Sequence, residues 1–573
     1  MNLDYLWTEL IVSVTLAACA VFSLVAGFSN DYLGRKKTIL LASGLFTVGA
    51  VFLGIAQNKE MLLFGRLIVG AAVGLASMTV PTYVGEACPA HLRGTMVTGF
   101  QLMVTFGFFC ASVLGGAFSY YDPVHKGWRL MVGVAGIPSL IQFIGFFFLP
   151  ESPRWLATHG REKEAEKVLK KVYGDNKDWI NFELTEIRES HEKLLREREK
   201  VGGGITLIQM LQISHTRKAL MVGCALQGFQ QLSGVNTLMF YTATIIKMSG
   251  IKNDSTAIWM SCAVTGVNFF CTFIPILLVE RLGRKKLLFI SMFGVISALV
   301  VLGIGFLLIH NSAPTLNQYN GPIPNSATDE FKKCSKYTNC DSCVTMEDCG
   351  FCFPKIHNST SKYGYCLPVL AGDSSGSTFG PCAKNSNSTE EFEWEWNFCP
   401  SNPGVSWIPI LGMVFYLCAF STGLAPMPWV INAEIYPFWA RSTGISCATT
   451  TNWIFNLIIS QTFLNLTEAL SKSGTFFLYS GIVVVAMVIF FFIVPETKGV
   501  RIEQVHTLFE SKKEVKKKHQ WVVKDFHERF LVFAGRSARI GGAEVIRLLT
   551  AVPGLPPDSA VLNKLNHLRI AIR

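Results

Sequence analysis

Apolar residues fall into eleven runs along the chain, and polar or basic segments separate them. A membrane-spanning helix needs about 20 consecutive apolar residues, whereas a spanning strand needs only about 10. The runs are therefore long enough to cross a bilayer as helices and too long for the strands of a β-barrel. The predicted spans are 8–29, 38–57, 61–83, 95–118, 129–149, 218–246, 256–279, 287–309, 406–431, 445–467 and 474–494. The pattern predicts an all-α membrane protein.

Composition and charge agree with this prediction. Half of the 573 residues are hydrophobic and only 16% are charged, which is unlike an ordinary soluble enzyme. The net charge of +11 lies mostly in connecting segments and in the tail, where it indicates orientation in the membrane rather than binding to nucleic acid. The bases at 35–37 follow the first span, so we expect that connection in the cytoplasm and the N-terminus outside. The protein should be a multi-pass protein of the plasma membrane.

One apolar run contains an unusual set of amide side chains. Gln227, Gln230, Gln231 and Asn236 lie at offsets of three, four and nine residues, and we expect them close to one face of a helix. Amides that face lipid lose their hydrogen bonds to water, so these should face protein or a water-filled cavity. They could simply join helices together. Four on one stripe favour a pathway for a neutral, polyhydroxylated ligand.

Other spans add groups of the same kind. Pro426 and Pro428 interrupt the backbone hydrogen bonds of span 406–431, as in a helix that bends to act as a gate. Trp429 follows them, and its ring could cover the apolar face of a sugar. Four further amides lie in other spans: Gln101, Asn268, Asn452 and Asn456.

The two halves of the chain carry matching segments. DYLGRKK at 31–37 recurs as ERLGRKK at 280–286, and PESPR at 150–154 has a weaker echo in PETKG at 495–499. This repeat predicts two homologous helical bundles with a site between them. Two spans precede the LGRKK segment in the second half but only one in the first, so we expect one helix to be missing at the start.

Charged residues at the inner helix ends form a second candidate site. Gly34 and Gly283 allow tight turns, so the following arginines could form bidentate pairs with nearby glutamates and hold the inner face shut. Alternatively, the bases only set the topology. The residues of this predicted inner gate are Arg35, Glu86, Arg93, Arg284, Glu434 and Arg441.

Arg66 is a charged residue inside the third span. A guanidinium there is costly without a partner, yet the first five spans contain no carboxylate except Glu9 at an edge. We expect its counter-ion on the missing helix, unless the side chain instead extends to the membrane surface.

Half of the sixteen cysteines are concentrated in the segment 310–405, which the predicted topology places outside the cell. An even number of cysteines in a short external segment predicts disulfides, as many as four. The two Cys-x-x-Cys pairs could also suggest zinc, but only five residues separate them, which favours disulfides. Asn358 and Asn387 begin glycosylation motifs. The cysteines are Cys334, Cys340, Cys343, Cys349, Cys352, Cys366, Cys382 and Cys399.

These segments together resemble the sugar porter family of the major facilitator superfamily. Besides the two LGRKK segments, the matching motifs are residues 81–94, PESPRWL at 150–156, QQLSGVN at 230–236 and PETKG at 495–499. The resemblance covers roughly residues 1–508. It implies a major facilitator fold of two six-helix bundles, with eleven of the twelve expected spans present.

The resemblance also implies a function. Family members move sugars by rocking two bundles about a central site. The insert, which looks like a plexin-semaphorin-integrin module, narrows this to proton-coupled transport of myo-inositol, with Arg66 near the proton-coupling acid. The alternatives are a facilitative hexose uniporter and a non-transporting membrane receptor. The matching substrate-binding positions are Gln101, Gln230, Gln231, Asn236, Asn268, Trp429, Asn452 and Asn456.

These inferences define the expected organisation and partners. The chain shows no nucleotide-binding loop, metal cluster or nucleophile arrangement, so we expect neither an enzyme nor a cofactor. The expected partners are a small neutral polyol or sugar, protons and the lipid bilayer. The expected regions are an N-terminal bundle at 1–149, cytoplasmic linker helices at 150–217, a C-terminal bundle at 218–309 and 406–508, the external insert at 310–405 and a cytoplasmic tail at 509–573.

Overall fold

The structure is a computed structural model, and the part of the chain that it describes is almost entirely helical. The predicted tail beyond residue 509 and the glycosylation candidates Asn358 and Asn387 lie outside the described residues. The described residues are 5–89, 92–120, 126–174, 176–201, 206–249, 253–324, 328–346, 348–355, 363–370, 373–383, 392–396, 399, 403–499 and 506–509.

The first half contains four long helices and a pair of shorter ones. Their sequences are apolar throughout, because most of their surface contacts either lipid or another helix. Only Gly34 separates the first two helices. The helices are α1 (Tyr5–Leu33), α2 (Arg35–Gly54), α3 (Lys59–Ala87), α4 (Arg93–Phe118), α5 (Trp128–Val134) and α6 (Gly136–Phe148).

Four helices form the linker between the halves. The first three expose polar faces, and a small apolar core that includes Trp155, Leu156 and Val168 holds these three together. The sequence predicted linker helices in this segment, and their position on the cytoplasmic side stays a prediction. The helices are α7 (Pro153–Thr158), α8 (Glu162–Tyr173), α9 (Lys177–Val201) and α10 (Thr206–Gln212).

The second half begins with a helix that is broken twice. The predicted span 218–246 is divided at Gly234 and again at Tyr241. The helices up to the insert are α11 (Ser214–Leu232), α12 (Val235–Phe240), α13 (Thr242–Met248), α14 (Asp254–Cys271), α15 (Phe273–Leu282) and α16 (Arg284–Ser312).

The cysteine-rich insert is a small β-sheet unit with two short helices. Strand β3 is central, pairing with β1 in parallel and with β2 and β4 antiparallel, and β5 extends the sheet beyond β2. The elements are β1 (Thr315–Leu316), α17 (Thr328–Cys334), α18 (Cys340–Thr345), β2 (Cys349–Pro354), β3 (Tyr363–Leu370), β4 (Asp373–Ser377) and β5 (Phe392–Trp396).

All eight insert cysteines are paired in the structure. The disulfides are Cys334–Cys349, Cys340–Cys399, Cys343–Cys366 and Cys352–Cys382. Each cysteine of a Cys-x-x-Cys motif bonds to a residue outside that motif. The four thiols of these motifs, for which zinc was the alternative, are therefore used in disulfides, and the four disulfides support a core too small to be stable on its own.

The chain then returns to the second bundle. The segment that carries the two prolines is a helix interrupted by a π-helical turn at Phe420–Leu424. A short 3₁₀ turn at His506–Phe509 packs against the start of α11, where Lys218 Nζ donates to the Phe509 carbonyl at 3.4 Å. The remaining helices are α19 (Pro403–Ala419), α20 (Met427–Ile435), α21 (Arg441–Leu470) and α22 (Lys472–Ile493).

Among the described residues, nine helical stretches are long and apolar enough to cross a membrane. The other two predicted spans, 218–246 and 445–467, fall on α11–α13 and on α21. Both are helical, but amide and hydroxyl side chains lower their apolar content. These two segments provide five of the eight predicted substrate-binding residues, which explains why they are the least apolar.

The two halves meet along two pairs of helices. Helix α1 packs against α21 over its length, from a hydrogen bond between Gln461 and Ser13 at one end to one from Ser442 Oγ to Asp31 Oδ1 (2.6 Å) at the other. Helix α4 packs against α14, where Trp259 Nε1 donates to the Tyr120 hydroxyl at 3.0 Å. This arrangement leaves a space between the bundles near mid-length.

A buried ion pair attaches the insert to the second bundle. Lys472 Nζ at the start of α22 lies 2.7 Å from Asp341 Oδ1 in α18, with side-chain exposures of 5% and 8%. His310 Nδ1 at the end of α16 lies 3.0 Å from the other carboxylate oxygen. Burial alone acts to raise the pKa of Asp341, but the Lys472 ammonium and the hydrogen bonds from His310 and Lys472 outweigh it and lower that pKa to about 2.

We predict that Asp341→Asn loosens the insert. Removing the carboxylate leaves the Lys472 ammonium buried without its counter-charge, a change that costs about 3–5 kcal/mol in other proteins. Limited proteolysis or hydrogen exchange of the insert should be faster in the variant. In the unaltered protein, the contribution of Asp341 is present above its ordinary pKa of 3.8 and is lost only as pH falls toward 2, so the attachment should not change between about pH 5 and pH 8 on its account.

The matched control is Asp329→Asn, which removes an exposed partner of Lys332 at 3.8 Å in the same insert. This variant should leave proteolysis of the insert unchanged, because exposed ion pairs contribute little. Equal protection of the insert in Asp341→Asn and in the unaltered protein would contradict the anchoring role.

Candidate functional site

A cavity of about 560 Å³ lies between the two halves. Pockets of about 300–1,000 Å³ are typical of sites for small molecules. None of its lining residues is charged, and most are apolar. Helices α2, α3, α4 and α6 form one wall, and α11, α12, α14, α20 and α21 form the other. All eight residues predicted to bind substrate line this cavity: Gln101, Gln230, Gln231, Asn236, Asn268, Trp429, Asn452 and Asn456.

The break at Gly234 brings Asn236 into the site. On one continuous helix, nine residues would place Asn236 about 180° around the axis from Gln227, so the predicted single stripe was wrong in this respect. Gly234 adopts φ 84°, and a Cβ there would lie 2.6 Å from the ring of Tyr479. The resulting turn restarts the helix in a new direction, and Asn236 Nδ2 now donates to Gln231 Oε1.

Gln227 lies behind the cavity wall rather than on it. Its side chain is only 1% exposed, and its Oε1 accepts a hydrogen bond of 2.7 Å from Asn452 Nδ2. Gln227 therefore positions Asn452, which does line the cavity. The stripe therefore contains both wall residues and a supporting residue, which spacing alone does not distinguish.

Several of the cavity amides are hydrogen-bonded to one another. Asn452 Nδ2 donates to Gln230 Oε1 at 2.9 Å, and Gln231 Nε2 donates to Asn452 Oδ1 at 3.0 Å. Gln230 Nε2 donates to two backbone carbonyls, those of Leu424 (3.0 Å) and Ala425 (2.8 Å). Gln230 and Asn452 thus use most of their hydrogen-bonding capacity within the protein.

Other amides keep donors available to a ligand. Asn456 accepts from Ser460 at its Oδ1, and Asn268 accepts from Ser421 at its Oδ1, and both residues line the cavity with their NH₂ groups not used in these bonds. Gln101 makes no side-chain hydrogen bond within the described part of the chain. These three amides come from three different helices and surround one space, as the recognition of several hydroxyl groups requires.

Aromatic side chains supply the apolar part of the site. The Trp429 and Phe100 rings lie 5.6 Å apart at an angle of 64°, one from each half. Trp453 Nε1 donates to Ser77 Oγ at 3.1 Å, which also joins the halves. The binding set predicted from the sequence omitted Phe100, Trp453 and Gln142, all of which line the cavity. Gln142 carried a usable signal, since it is an amide within an apolar span, as Gln101 is.

The predicted inner gate consists of two equivalent clusters, one in each half. In the first, Arg35 Nη2 lies 3.0 Å from Glu86 Oε1, and Ser152 Oγ donates to Oε2 at 2.6 Å. In the second, Arg284 Nη2 lies 3.0 Å from Glu434 Oε1, and Thr497 Oγ1 donates to Oε2 at 2.6 Å. The weak echo of PES in PET is therefore a real structural repeat, because Ser and Thr supply the same hydroxyl.

The expected bidentate pairing with Glu86 and Glu434 was wrong. Each of these glutamates gives one oxygen to an arginine and the other to a hydroxyl, and the bidentate partner of Arg284 is Glu280. Each pair also stays within its own half.

The other two gate residues act across the interface between the halves. The guanidinium of Arg441 interacts electrostatically with the carboxylate of Glu86, and the guanidinium of Arg93 interacts with that of Glu434. Both arginines also donate to backbone carbonyls at the end of the preceding helix, Arg93 to Gly85 and Arg441 to Tyr436. The clusters stabilise each half internally and also connect the two electrostatically.

A second carboxylate in each cluster caps a helix. Glu151 accepts from the backbone N–H groups of Arg35 (3.0 Å) and Lys36 (3.1 Å) at the start of α2. Glu496 accepts from the equivalent groups at the start of α16, at 3.0 and 3.1 Å. Gly34 (φ 92°) and Gly283 (φ 88°) precede these helices, and a Cβ on either would lie within 3 Å of the capping carboxylate. Only glycine permits both the backbone conformation and the cap.

Arg66 lies half-buried in α3, and its Nε has no hydrogen-bond partner among the described residues. Its predicted part in proton coupling stays a prediction.

Two repeated helical bundles around an uncharged, amide-lined cavity define the class of secondary transporters. The chain belongs to the sugar transporter family: the family described as "Sugar (and other) transporter" matches residues 3–320 and 396–509. It is a multi-pass membrane protein with the major facilitator fold that the sequence predicted. The match excludes most of the insert, in agreement with its separate sheet and disulfides.

Individual relatives are more specific. The chain is 45% identical to the proton myo-inositol cotransporter hmit-1.1 of Caenorhabditis elegans, covering 89% of this chain and 84% of the relative. It is 44% identical to the proton myo-inositol cotransporter of Homo sapiens, covering 89% and 77%. Among solved structures, the proton:xylose symporter XylE matches with a TM-score of 0.65 at 22% identity over 89% of this chain and 91% of that chain, which supports the fold.

We predict that Gly34→Ala and Gly283→Ala each destabilise the protein. A side chain at these φ values costs about 1–3 kcal/mol, and it would also displace the capping carboxylate. The thermal unfolding midpoint of the purified protein should fall in both variants. Gly145→Ala in α6 is the matched control, because no atom lies within 4 Å of the added Cβ. Equal midpoints in all three variants would contradict the proposed need for glycine.

Proposed function

We propose that this protein carries myo-inositol across the plasma membrane together with protons. The observation that carries the proposal is a cavity between the two halves, lined by amides with unused hydrogen-bond donors and by no charged residue. Such a lining suits a neutral molecule with many hydroxyl groups, each of which both donates and accepts. The relatives at 43–45% identity are named proton myo-inositol cotransporters, which supports the particular substrate.

Each part of the ligand has a counterpart in the cavity. The NH₂ groups of Asn268 and Asn456 donate to hydroxyl oxygens, and Gln101 from the opposite half offers both a donor and an acceptor. The ring of Trp429 covers the C–H face of the polyol. Residues from both halves therefore contact the substrate, so binding favours states in which the halves are close.

Transport follows from rocking of the two halves about the site. The electrostatic contacts between the halves, of Arg441 with Glu86 and of Arg93 with Glu434, hold the inner helix ends together, and their loss opens the cavity on that side. The interrupted helix that carries Trp429 provides a local bend beside the substrate. Arg66 is the charged residue of the first half that we assign to the proton-coupled part of the cycle.

The first test is uptake of labelled myo-inositol into proteoliposomes with an imposed pH gradient. We expect accumulation when the external pH is about two units below the internal pH, and its loss when a protonophore is added. Uptake of hexoses that only equilibrates, without dependence on pH, would indicate a facilitative uniporter instead. Absence of uptake of any polyol or hexose by correctly folded protein would favour a non-transporting receptor.

We predict that Asn456→Ala raises the KM for myo-inositol about three- to tenfold, as expected for one lost hydrogen bond, with little change in the saturating rate. Uptake kinetics at several substrate concentrations measure both quantities. Asn181→Ala is the control, because this residue is exposed on α9, away from the cavity. An unchanged KM in Asn456→Ala would remove Asn456 from the binding site.

A further inference from the structure

The helix that carries Trp429 leaves two backbone carbonyls without helical partners. We call residues 420–428 the break. In a regular helix, the carbonyl of Leu424 would accept from the N–H group four residues later, at position 428. Pro428 has no N–H group, so this carbonyl has no helical donor. The N–H of Trp429 donates to Pro426 at 3.1 Å rather than to Ala425. Two adjacent carbonyls therefore need donors from elsewhere in the protein.

Gln230 of α11 supplies both donors. Its side chain is 4% exposed, and its Nε2 lies 3.0 Å from the Leu424 oxygen and 2.8 Å from the Ala425 oxygen. Both hydrogens of the NH₂ group are used in this way. In this state Gln230 has no donor left for a substrate.

The two carbonyls also fix the orientation of a chain of amides. Because a carbonyl oxygen only accepts, Gln230 must turn its NH₂ group toward the break and its oxygen toward Asn452. Asn452 must then present Nδ2 to Gln230 and Oδ1 to Gln231, and Gln231 must present its oxygen to Asn236. Because Gln230 must donate to the carbonyls of the break, it is fixed which partner donates and which accepts in each later hydrogen bond up to Asn236.

A second contact from the break acts in the same way. Ser421 Oγ donates to Asn268 Oδ1, which leaves the NH₂ group of Asn268 facing the cavity. On the side away from the cavity, Ser291 of α16 donates to the Ala419 carbonyl and accepts from the Leu424 N–H, both at 2.7 Å. Side chains from three helices hold the break, and two of these side chains, Gln230 and Asn268, line the cavity.

We propose that Gln230 is a positioning residue that couples the break to the substrate site. Through it, the carbonyls of the break set which cavity amides donate and which accept. If the break moves, this orientation is lost. Conversely, a substrate hydroxyl that accepts from Gln230 competes with the Leu424 and Ala425 carbonyls and so favours movement of the break. The proposal rests on the proposed function only for the identity of the substrate.

Substitution of Gln230 by methionine separates this role from direct ligand binding. Gln230→Met keeps the side-chain length but removes both donors. We expect the saturating rate of inositol uptake to fall at least about tenfold, with KM changed less than about threefold, because the variant alters the break more than the contacts with the ligand. Gln101→Met is the matched comparison: it removes a cavity amide without a protein partner and should raise KM with a smaller effect on rate. A rise in KM alone for Gln230→Met would overturn the proposal.

A stability measurement tests the same link without substrate. Pro428→Ala restores an N–H group that can donate to the Leu424 carbonyl. The hydrogen bond from Gln230 to that carbonyl is then no longer needed. Gln230→Met should therefore lower the thermal unfolding midpoint by less in the Pro428→Ala background than in the unaltered protein. Equal falls in both backgrounds would overturn the proposal. If Gln230→Met alone does not fold, recovery of folding in the double variant supports the link and failure to recover counts against it.

The two experiments also distinguish this inference from the proposed function. A chain that does not transport myo-inositol but shows the expected stability difference would overturn the function and keep the role of Gln230. If the chain transports myo-inositol but Gln230→Met lowers the unfolding midpoint equally in both backgrounds, the proposed function stands and the role of Gln230 is overturned.

Discussion

Polar groups inside the membrane-spanning bundle must find their partners within the protein, and this constraint organises the structure. Water is not available there to hydrogen-bond a free carbonyl, an amide or a carboxylate. Glu86 and Glu434 are each held by an arginine and a hydroxyl. The two carbonyls that the break leaves without helical donors, those of Leu424 and Ala425, are held by Gln230. Among the described residues, Gln101, Asn268 and Asn456 keep hydrogen-bonding capacity beside the cavity, and this capacity supports the proposal that the cavity binds a substrate.

The two halves share one fold, but the residues that line the cavity are not repeated between them. The inner clusters share the arginine–glutamate pair, the hydroxyl donor and the helix-capping carboxylates of Glu151 and Glu496, although Arg284 also pairs with Glu280 where Arg35 donates to the Asn30 carbonyl. Of the eight predicted binding residues, however, only Gln101 belongs to the first half. The repeat therefore accounts for how the halves are built and held together at their inner ends. The proposed substrate contacts lie mainly beside features that only the second half has among the described residues, namely the break and the turn at Gly234.

The described part of the insert has its own fold and contacts the second bundle through Asp341, which bonds Lys472 and His310, and through Asn339, which bonds His310. Four disulfides and a small sheet stabilise it internally. The ion pair between Asp341 and Lys472 then attaches it to the start of α22. A unit with its own covalent core can be accommodated between two transmembrane helices without altering how they pack, which explains why the family match continues on both sides of it.

The sequence by itself determined the helical membrane class, the internal repeat and the cysteine-rich insert, which follow from the length of apolar runs and the spacing of motifs. The family resemblance added the eight predicted binding residues, all of which line the cavity. Only the tertiary structure decided which cysteines pair, that Gln227 lies behind the wall and that Gln230 serves the break. Gln230 and Leu424 are 194 residues apart, and no local pattern encodes a partner at that distance. Hydrogen-bond direction is set by packing between helices, so it emerges only when the two segments are brought together.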